Sequence, residues 1–120
     1  MDAVVIGGGV IGLSVAWRAA RAGLEVALVD PEPGSGASHF AAGMIAPTSE
    51  ADFGEEGIVE IGRESAARYP AFVADVETDS GRQAGYRQCG TLHVALDADE
   101  HAALERAYRH RKSSGLPVVR

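Results

Sequence analysis

Gly7-Gly8-Gly9-Val10-Ile11-Gly12 fits the spacing G-x-G-x-x-G, a pattern suited to holding a diphosphate on backbone N–H groups. Gly7 permits a tight strand-to-helix turn. Gly9 omits a side chain where the backbone must approach a pyrophosphate, and Gly12 lets the helix pack closely on the strand. The first N–H groups of the helix would face the diphosphate at the positive end of the helix dipole. Asp30 follows Gly12 by 18 residues, close to the spacing of an acid that accepts hydrogen bonds from ribose hydroxyls. A carboxylate there would repel a 2′-phosphate, and neither Pro31 nor Glu32 is basic, so an NADP-type ligand is disfavoured. Two other chemistries are excluded. Leu13-Ser14 replaces the Lys-Ser/Thr of a P-loop, and Gly12-Leu13-Ser14-Val15-Ala16 lacks the second glycine of a nucleophile elbow.

A glycine hexapeptide is weak evidence alone, and the elements around it carry the argument. Ala3-Val4-Val5-Ile6 is short, β-branched and continuously apolar, as expected of a parallel strand buried on both faces. Residues 10–22 read as a helix closed by Gly23 at C′, and Val26-Ala27-Leu28-Val29 reads as a second buried strand ending at Asp30. Strand, helix and strand within 30 residues make a βαβ unit with a right-handed crossover. The fold class is therefore α/β, a Rossmann-like dinucleotide-binding unit on a parallel sheet. Pro31, Pro33, Gly34 and Gly36 then argue for a long loop without structure over 31–47, a length that is often functional. Ile58, Ile61, Tyr69, Phe72 and Val76 form an apolar helical stripe that Pro70 interrupts, through a kink or a fresh start. The segment closes at Thr78-Asp79-Ser80-Gly81. Leu92, Val94 and Leu96 alternate with Thr91, His93 and Ala95, a strand pattern. Asp97 with Glu100 reads as a capping box, opening a helix that runs to about Ser114 and stops at Gly115.

The rest of the composition narrows the classes. The 120 residues are enough for one domain and for burying about two-thirds of the unfolded surface. With 46% apolar and 23% charged residues the chain is an ordinary globular one. A net charge of −6 argues against a nucleic-acid partner, while leaving room for an anion held by backbone amides. One cysteine, Cys89, excludes an internal disulfide and a cysteine metal site, and is expected to be buried and inert. His39, His93, His101 and His110 lack metal-ligand spacing. Glu50, Asp52, Glu55, Glu56, Glu60 and Glu64 read as a solvated face, and Arg106, Arg109, Arg111 and Lys112 as cations suited to the end of a helix. No leader, cleavage site or membrane span is visible at the start, so the cytoplasm is the default expectation. Leu116-Pro117-Val118-Val119-Arg120 carries no stop signal, so an incomplete fragment is expected.

The second informative stretch is Gly36-Ala37-Ser38-His39-Phe40-Ala41-Ala42-Gly43-Met44-Ile45-Ala46-Pro47. Residues this small let backbone come close to a flat, extended ligand. NAD-dependent dinucleotide domains usually pass from the acid of the second strand into a helix instead. Taken with the βαβ unit and Asp30, this stretch resembles the D-amino-acid-oxidase family of FAD-dependent flavoproteins, and Ala-Ala-Gly-Met-Ile-Ala-Pro is most similar to its glycine oxidase branch of thiamine biosynthesis. Tyr69-Pro70 and Cys89-Gly90-Thr91-Leu92 fit the same family, and the resemblance covers essentially the whole chain.

The resemblance implies FAD as cofactor. It implies Gly7, Gly9, Val10, Ile11 and Gly12 at the pyrophosphate turn and Asp30 with Pro31 beside the adenosine ribose. Ala37 and Ser38 would approach the diphosphate and ribityl chain. Ala42, Gly43 and Met44 would line the isoalloxazine, with Ala46 and Pro47 nearby. His39-Phe40 departs from the small residues common in that loop. It further implies an FAD-binding domain over 1–85 and the start of a substrate domain over 86–120, with 86–96 as its first strand. The carboxylate clamp for the substrate would lie outside these residues, so no catalytic side chain and no metal ligand is expected within them. The implied activity is oxidative deamination of glycine, a small amino acid or a secondary amine to an oxo acid, ammonia and hydrogen peroxide. The alternatives are a D-amino-acid dehydrogenase using an acceptor other than oxygen, an NAD-dependent dehydrogenase domain, or a nucleotide-binding module without activity. The partner is a small amine or amino-acid substrate, and homo-oligomerisation stays open.

Overall fold

The computed structural model describes all of residues 1–120, in the order β1 (Ala3–Ile6), α1 (Val10–Arg21), β2 (Val26–Val29), α2 (Ala37–Phe40), α3 (Glu56–Ser80) and α4 (Ala98–Ser113). The chain divides into two compact units, Met1–Gly43 and Met44–Arg120.

In the first unit, β1 and β2 pair in parallel with Ala3 opposite Val26 and Ile6 opposite Val29. The β-branched runs favour the pleat, and the parallel direction follows from the helical crossover between them. The expected α/β class with a parallel sheet holds here. α1 ends in a Schellman motif. Leu24 N–H donates to the Ala19 carbonyl and Gly23 N–H to that of Ala20, with Gly23 at φ +89 as the motif requires.

Two expectations need correction in this unit. β1 and β2 are not buried on both faces: Val4, Ile6 and Val29 are 54, 85 and 55% exposed. Side chains alternate along a strand, and α1 covers only the face that carries Val5, whose Cγ1 lies against Gly12. The 31–47 loop is not structureless either, since α2 forms a single turn at Ala37–Phe40. The proline restriction ends at Pro33, and Gly36, extended at φ −78 and ψ −150, opens the turn by accepting the His39 amide.

In the second unit, α3 runs unbroken for 25 residues through Pro70, so the proline neither ends the helix nor starts a new one. Gly81 closes it in the left-handed conformation at φ +66, donating to Glu77. The less exposed side of α3 is Val59, Gly62, Ala66, Tyr69, Val73 and Val76. Tyr69, Phe72 and Val76 therefore sit as expected, whereas Ile58 and Ile61 are 71 and 74% exposed. α4 begins at its capping box. Asp97 accepts the Glu100 amide at 2.8 Å, while the Glu100 carboxylate accepts the Leu96 amide at 2.7 Å. A second Schellman motif closes α4, Leu116 to Arg111 and Gly115 to Lys112, and it turns Leu116 inward to 5% exposure.

The alternating segment at Leu92, Val94 and Leu96 forms no strand, and those three side chains are 86, 72 and 88% exposed. A strand needs a neighbouring backbone to satisfy its amides, and none runs beside it. Cys89 is exposed rather than buried, because it belongs to the same unpaired stretch. No helix is long and apolar enough to cross a membrane.

Candidate functional site

The glycine turn is built on the end of β1. Gly7 N–H donates to the Val29 carbonyl at 2.9 Å, adding one rung to the ladder. Gly7 then takes φ +103, a backbone conformation that strains any residue with a Cβ. α1 begins three residues later, at Val10. A Cβ on Gly12 would lie 1.9 Å from the Gly7 carbonyl oxygen, so the close helix-to-strand approach assigned to that glycine is present.

The N-terminus of α1 has an unusual cap. Gly9 is extended and has no side chain to offer. The acceptor comes from α2, where the Ser38 hydroxyl oxygen takes the Val10 amide at 2.9 Å. A Cβ on Gly9 would sit 3.3 Å from that hydroxyl. The Ile11 and Gly12 amides have no protein acceptor, and Val10 and Ile11 are 60 and 78% exposed. Open amides at the positive end of a helix are what a diphosphate needs.

Asp30 is half-buried at the end of β2 and accepts two backbone amides. Gly8 donates to Oδ2 at 2.6 Å and Glu32 to Oδ1 at 2.8 Å. The Gly8 amide first, and the Glu32 amide second, hold the carboxyl below the usual carboxylate range against a smaller opposing desolvation. Asp30 is therefore ionised at neutral pH. A carboxylate offers about four lone-pair sites, so two remain for ribose hydroxyls. No cation pairs with Asp30, and Pro31 and Glu32 add no positive charge, so a 2′-phosphate has nothing to receive it. The residues present thus fit the adenosine diphosphate half of a flavin or nicotinamide dinucleotide without its 2′-phosphate.

Gly8 is the position that sequence reasoning passed over, as a free x of the motif. It is buried, it donates to Asp30, and its carbonyl accepts the Gly34 amide at 2.9 Å. A Cβ there would meet Pro33 at 2.9 Å. The signal was available, because a third glycine stood where the motif demands none.

Gly7, Gly9, Val10, Ile11, Gly12, Asp30 and Ser38 are brought together in this unit. Pro31 follows Asp30 directly, Ala37 opens α2, and Ala42 and Gly43 follow it exposed, with Gly43 at φ +75. Met44, Ala46 and Pro47 belong to the second unit. Met44 is 72% exposed. The Ala46 carbonyl accepts the Ser49 hydroxyl at 3.2 Å and the Glu50 amide at 3.0 Å. Pro47 packs on α3, its Cβ 2.9 Å from where a Cβ on Gly62 would stand. Arg111, expected only as a helix-end cation, instead donates to the Ser49 and Ala51 carbonyls.

A family model described as DAO, FAD dependent oxidoreductase, matches residues 2–120. A bifunctional protein ThiO/ThiG of Trichormus variabilis is 34% identical over 99 residues, covering 82% of this chain and 15% of that protein. A glycine oxidase of Bacillus licheniformis is 32% identical over 105 residues, covering 86% of this chain and 28% of that enzyme. A D-amino acid dehydrogenase of a Methylobacterium species (strain 4-46) is 42% identical over 60 residues, 48% of this chain and 14% of that enzyme. The chain spans less than a third of the length of each.

Proposed function

Because the chain belongs to the DAO family of FAD-dependent oxidoreductases, we propose that it is the FAD-holding part of an amine or amino-acid oxidase of the glycine oxidase type. The observation that carries the reading is the pairing of open α1 amides at Ile11 and Gly12 with an ionised Asp30 anchored by Gly8. The amides take the diphosphate and the carboxylate takes the ribose, with Pro31 beside it. Ala37 and Ser38 approach the diphosphate and ribityl chain. Family resemblance assigns Ala42, Gly43 and Met44 to the isoalloxazine, with Ala46 and Pro47 nearby. In the same reading residues 1–85 belong to the FAD-binding domain and 86–120 begin the substrate domain.

FAD, when bound, supplies the hydride acceptor, and the residues of this chain orient it and exclude water. The substrate is a small amino acid or secondary amine. Its α-carbon gives up a hydride and its nitrogen a proton; water then hydrolyses the imine to an oxo acid and ammonia, or to an oxo acid and a primary amine where the substrate is a secondary amine. Oxygen takes the two electrons and two protons, giving hydrogen peroxide. No side chain among residues 1–120 is assigned to acid or base work, and the substrate carboxylate is bound elsewhere in the enzyme. The 42% identity to a D-amino acid dehydrogenase over 60 residues supports a second reading, in which an acceptor other than oxygen takes the electrons.

The absorbance spectrum of the purified intact protein tests the cofactor, and peroxide release with glycine, sarcosine and D-alanine tests the chemistry. Flavin bands with substrate-dependent peroxide are expected. Substrate bleaching of the bands without peroxide selects the dehydrogenase reading, and a colourless protein that binds NAD overturns both.

A further inference from the structure

A groove of about 850 Å³ opens between α3 and the C-terminal end of α4, and every residue that lines it lies in the second unit. Its floor is apolar. Ala51 and Leu116 are each 5% exposed, and Val59 is half-buried on the α3 wall. Two contacts tie the turn that carries Ala51 to α4. Arg111 donates to the Ser49 and Ala51 carbonyls, and the Phe53 ring lies 3.9 Å from that of His110, centroid to centroid.

The α3 rim of this groove is acidic. Glu56, Glu60 and Glu64 succeed one another at a spacing of four residues, all exposed, with Asp52 beyond them on the turn. Arg63 is the one Lys or Arg on the lining. Glu64 pairs with Arg68 at 2.6 Å, whereas Glu56 and Glu60 pair with no cation. Like charges four residues apart weaken a helix, and a cation laid along the row replaces that repulsion with attraction. Exposed charges contribute little affinity alone. Their part is to choose the partner, while apolar side chains seated on the floor hold it. Nucleic acid and anionic lipid headgroups are repelled by the same row. From Glu56 to Glu64 is about 12 Å of helix, the span of cations spaced by four on a second helix laid alongside. We propose that this groove docks a basic amphipathic helix of a partner protein, with its apolar side chains on Ala51, Val59 and Leu116 and its Lys or Arg heads on the α3 carboxylates.

The test uses the intact protein and fluorescence anisotropy of a labelled helical peptide of Leu and Lys, with Leu at three-and-four spacing and Lys on both flanks. Two further peptides replace its Lys by Glu or its Leu by Ser. The Leu/Lys peptide is expected to bind and the other two are not. Glu60→Lys should weaken binding about tenfold and flatten its salt dependence. Asp99→Lys makes the same charge change at the far end of α4 and should leave binding within about twofold of wild type. Equal weakening by the two substitutions reduces the effect to net charge and overturns the proposal. So does undiminished binding of the Leu-to-Ser peptide, since the floor then takes no part. A wild type that binds no peptide also overturns it, because the groove is then closed by the rest of the enzyme. Self-association of wild type that Glu60→Lys abolishes makes a second copy the occupant and overturns it as well. Should Glu60→Lys fail to fold, Glu60→Gln decides, and peptide affinity identical with wild type overturns the proposal. Flavin absorbance plays no part in these readings, so they stand or fall apart from the cofactor reading.

Discussion

The Gly8 amide donates to the Asp30 carboxylate at 2.6 Å, so the acid that ends β2 fastens the glycine turn that ends β1. One side chain thereby does two jobs. It holds the turn that presents the α1 amides, and it offers its remaining lone pairs to a ribose.

The first job makes stability depend on pH. The folded-state carboxyl titrates below its unfolded value of about 3.9, so its contribution is fully present above that value. It is lost as pH falls through the folded value. Urea midpoints of wild type and Asp30→Asn are expected to differ most near neutral pH and to converge below about pH 4. The second job predicts that Asp30→Asn also weakens FAD binding, by about ten- to hundredfold. Parallel pH curves for the two proteins would show that the backbone contacts of Asp30 carry no stability.

Gly7 and Gly12 fail for different reasons when given a methyl group. At Gly7 there is open space but φ is +103, so alanine costs about 1–3 kcal/mol of backbone strain. At Gly12 the new Cβ would stand 1.9 Å from a backbone oxygen, and the helix must leave the strand. The cost there is about 3 kcal/mol or more, at or beyond the top of the usual overpacking range. Chemical denaturation of Gly7→Ala and Gly12→Ala ranks them, and a Gly12→Ala protein as stable as wild type would refute the packing account.

What the sequence made legible follows from which forces are local. Gly23 and Gly115 announce their Schellman motifs, and Asp97 with Glu100 announces its cap, because those bonds join residues a few positions apart. The glycine turn was legible for the same reason. Burial was not. Val4, Ile6 and Leu92 carry the apolar pattern of buried strands yet are exposed, since burial depends on which distant segment covers a face. The reach of Arg111 to Ser49 and Ala51 across some 60 residues was equally silent. Its position at a helix end already explained its charge, and no local pattern marks a donor aimed at distant carbonyls.

Ser38 supplies the cap that α1 lacks from its own sequence. Removing the hydroxyl in Ser38→Ala leaves the Val10 amide without its 2.9 Å acceptor and is expected to cost about 1 kcal/mol, as for other lost caps. A ligand phosphate oxygen can accept the same amide, so the deficit should shrink when thermal unfolding is repeated at saturating FAD. A deficit that grows with FAD would mean that the hydroxyl itself binds the cofactor more than it caps the helix.

Two glycines within α3 separate helix propensity from packing. Gly57 has open space around a built Cβ, so Gly57→Ala should stabilise by about 0.5–1 kcal/mol through lost chain entropy. Gly62 has the same propensity to gain, but its Cβ would meet the Pro47 Cβ at 2.9 Å. Neither α3 nor the proline ring yields easily, so an overpacking cost of about 1–3 kcal/mol outweighs the gain. Gly62→Ala is therefore expected to lower the thermal midpoint where Gly57→Ala raises it. It should also speed amide exchange at Glu50, because pushing Pro47 off α3 moves the turn whose Ala46 carbonyl that amide holds. Two stabilising substitutions, or an unmoved Glu50 amide in Gly62→Ala, would show that Pro47 does not rest on α3 in solution.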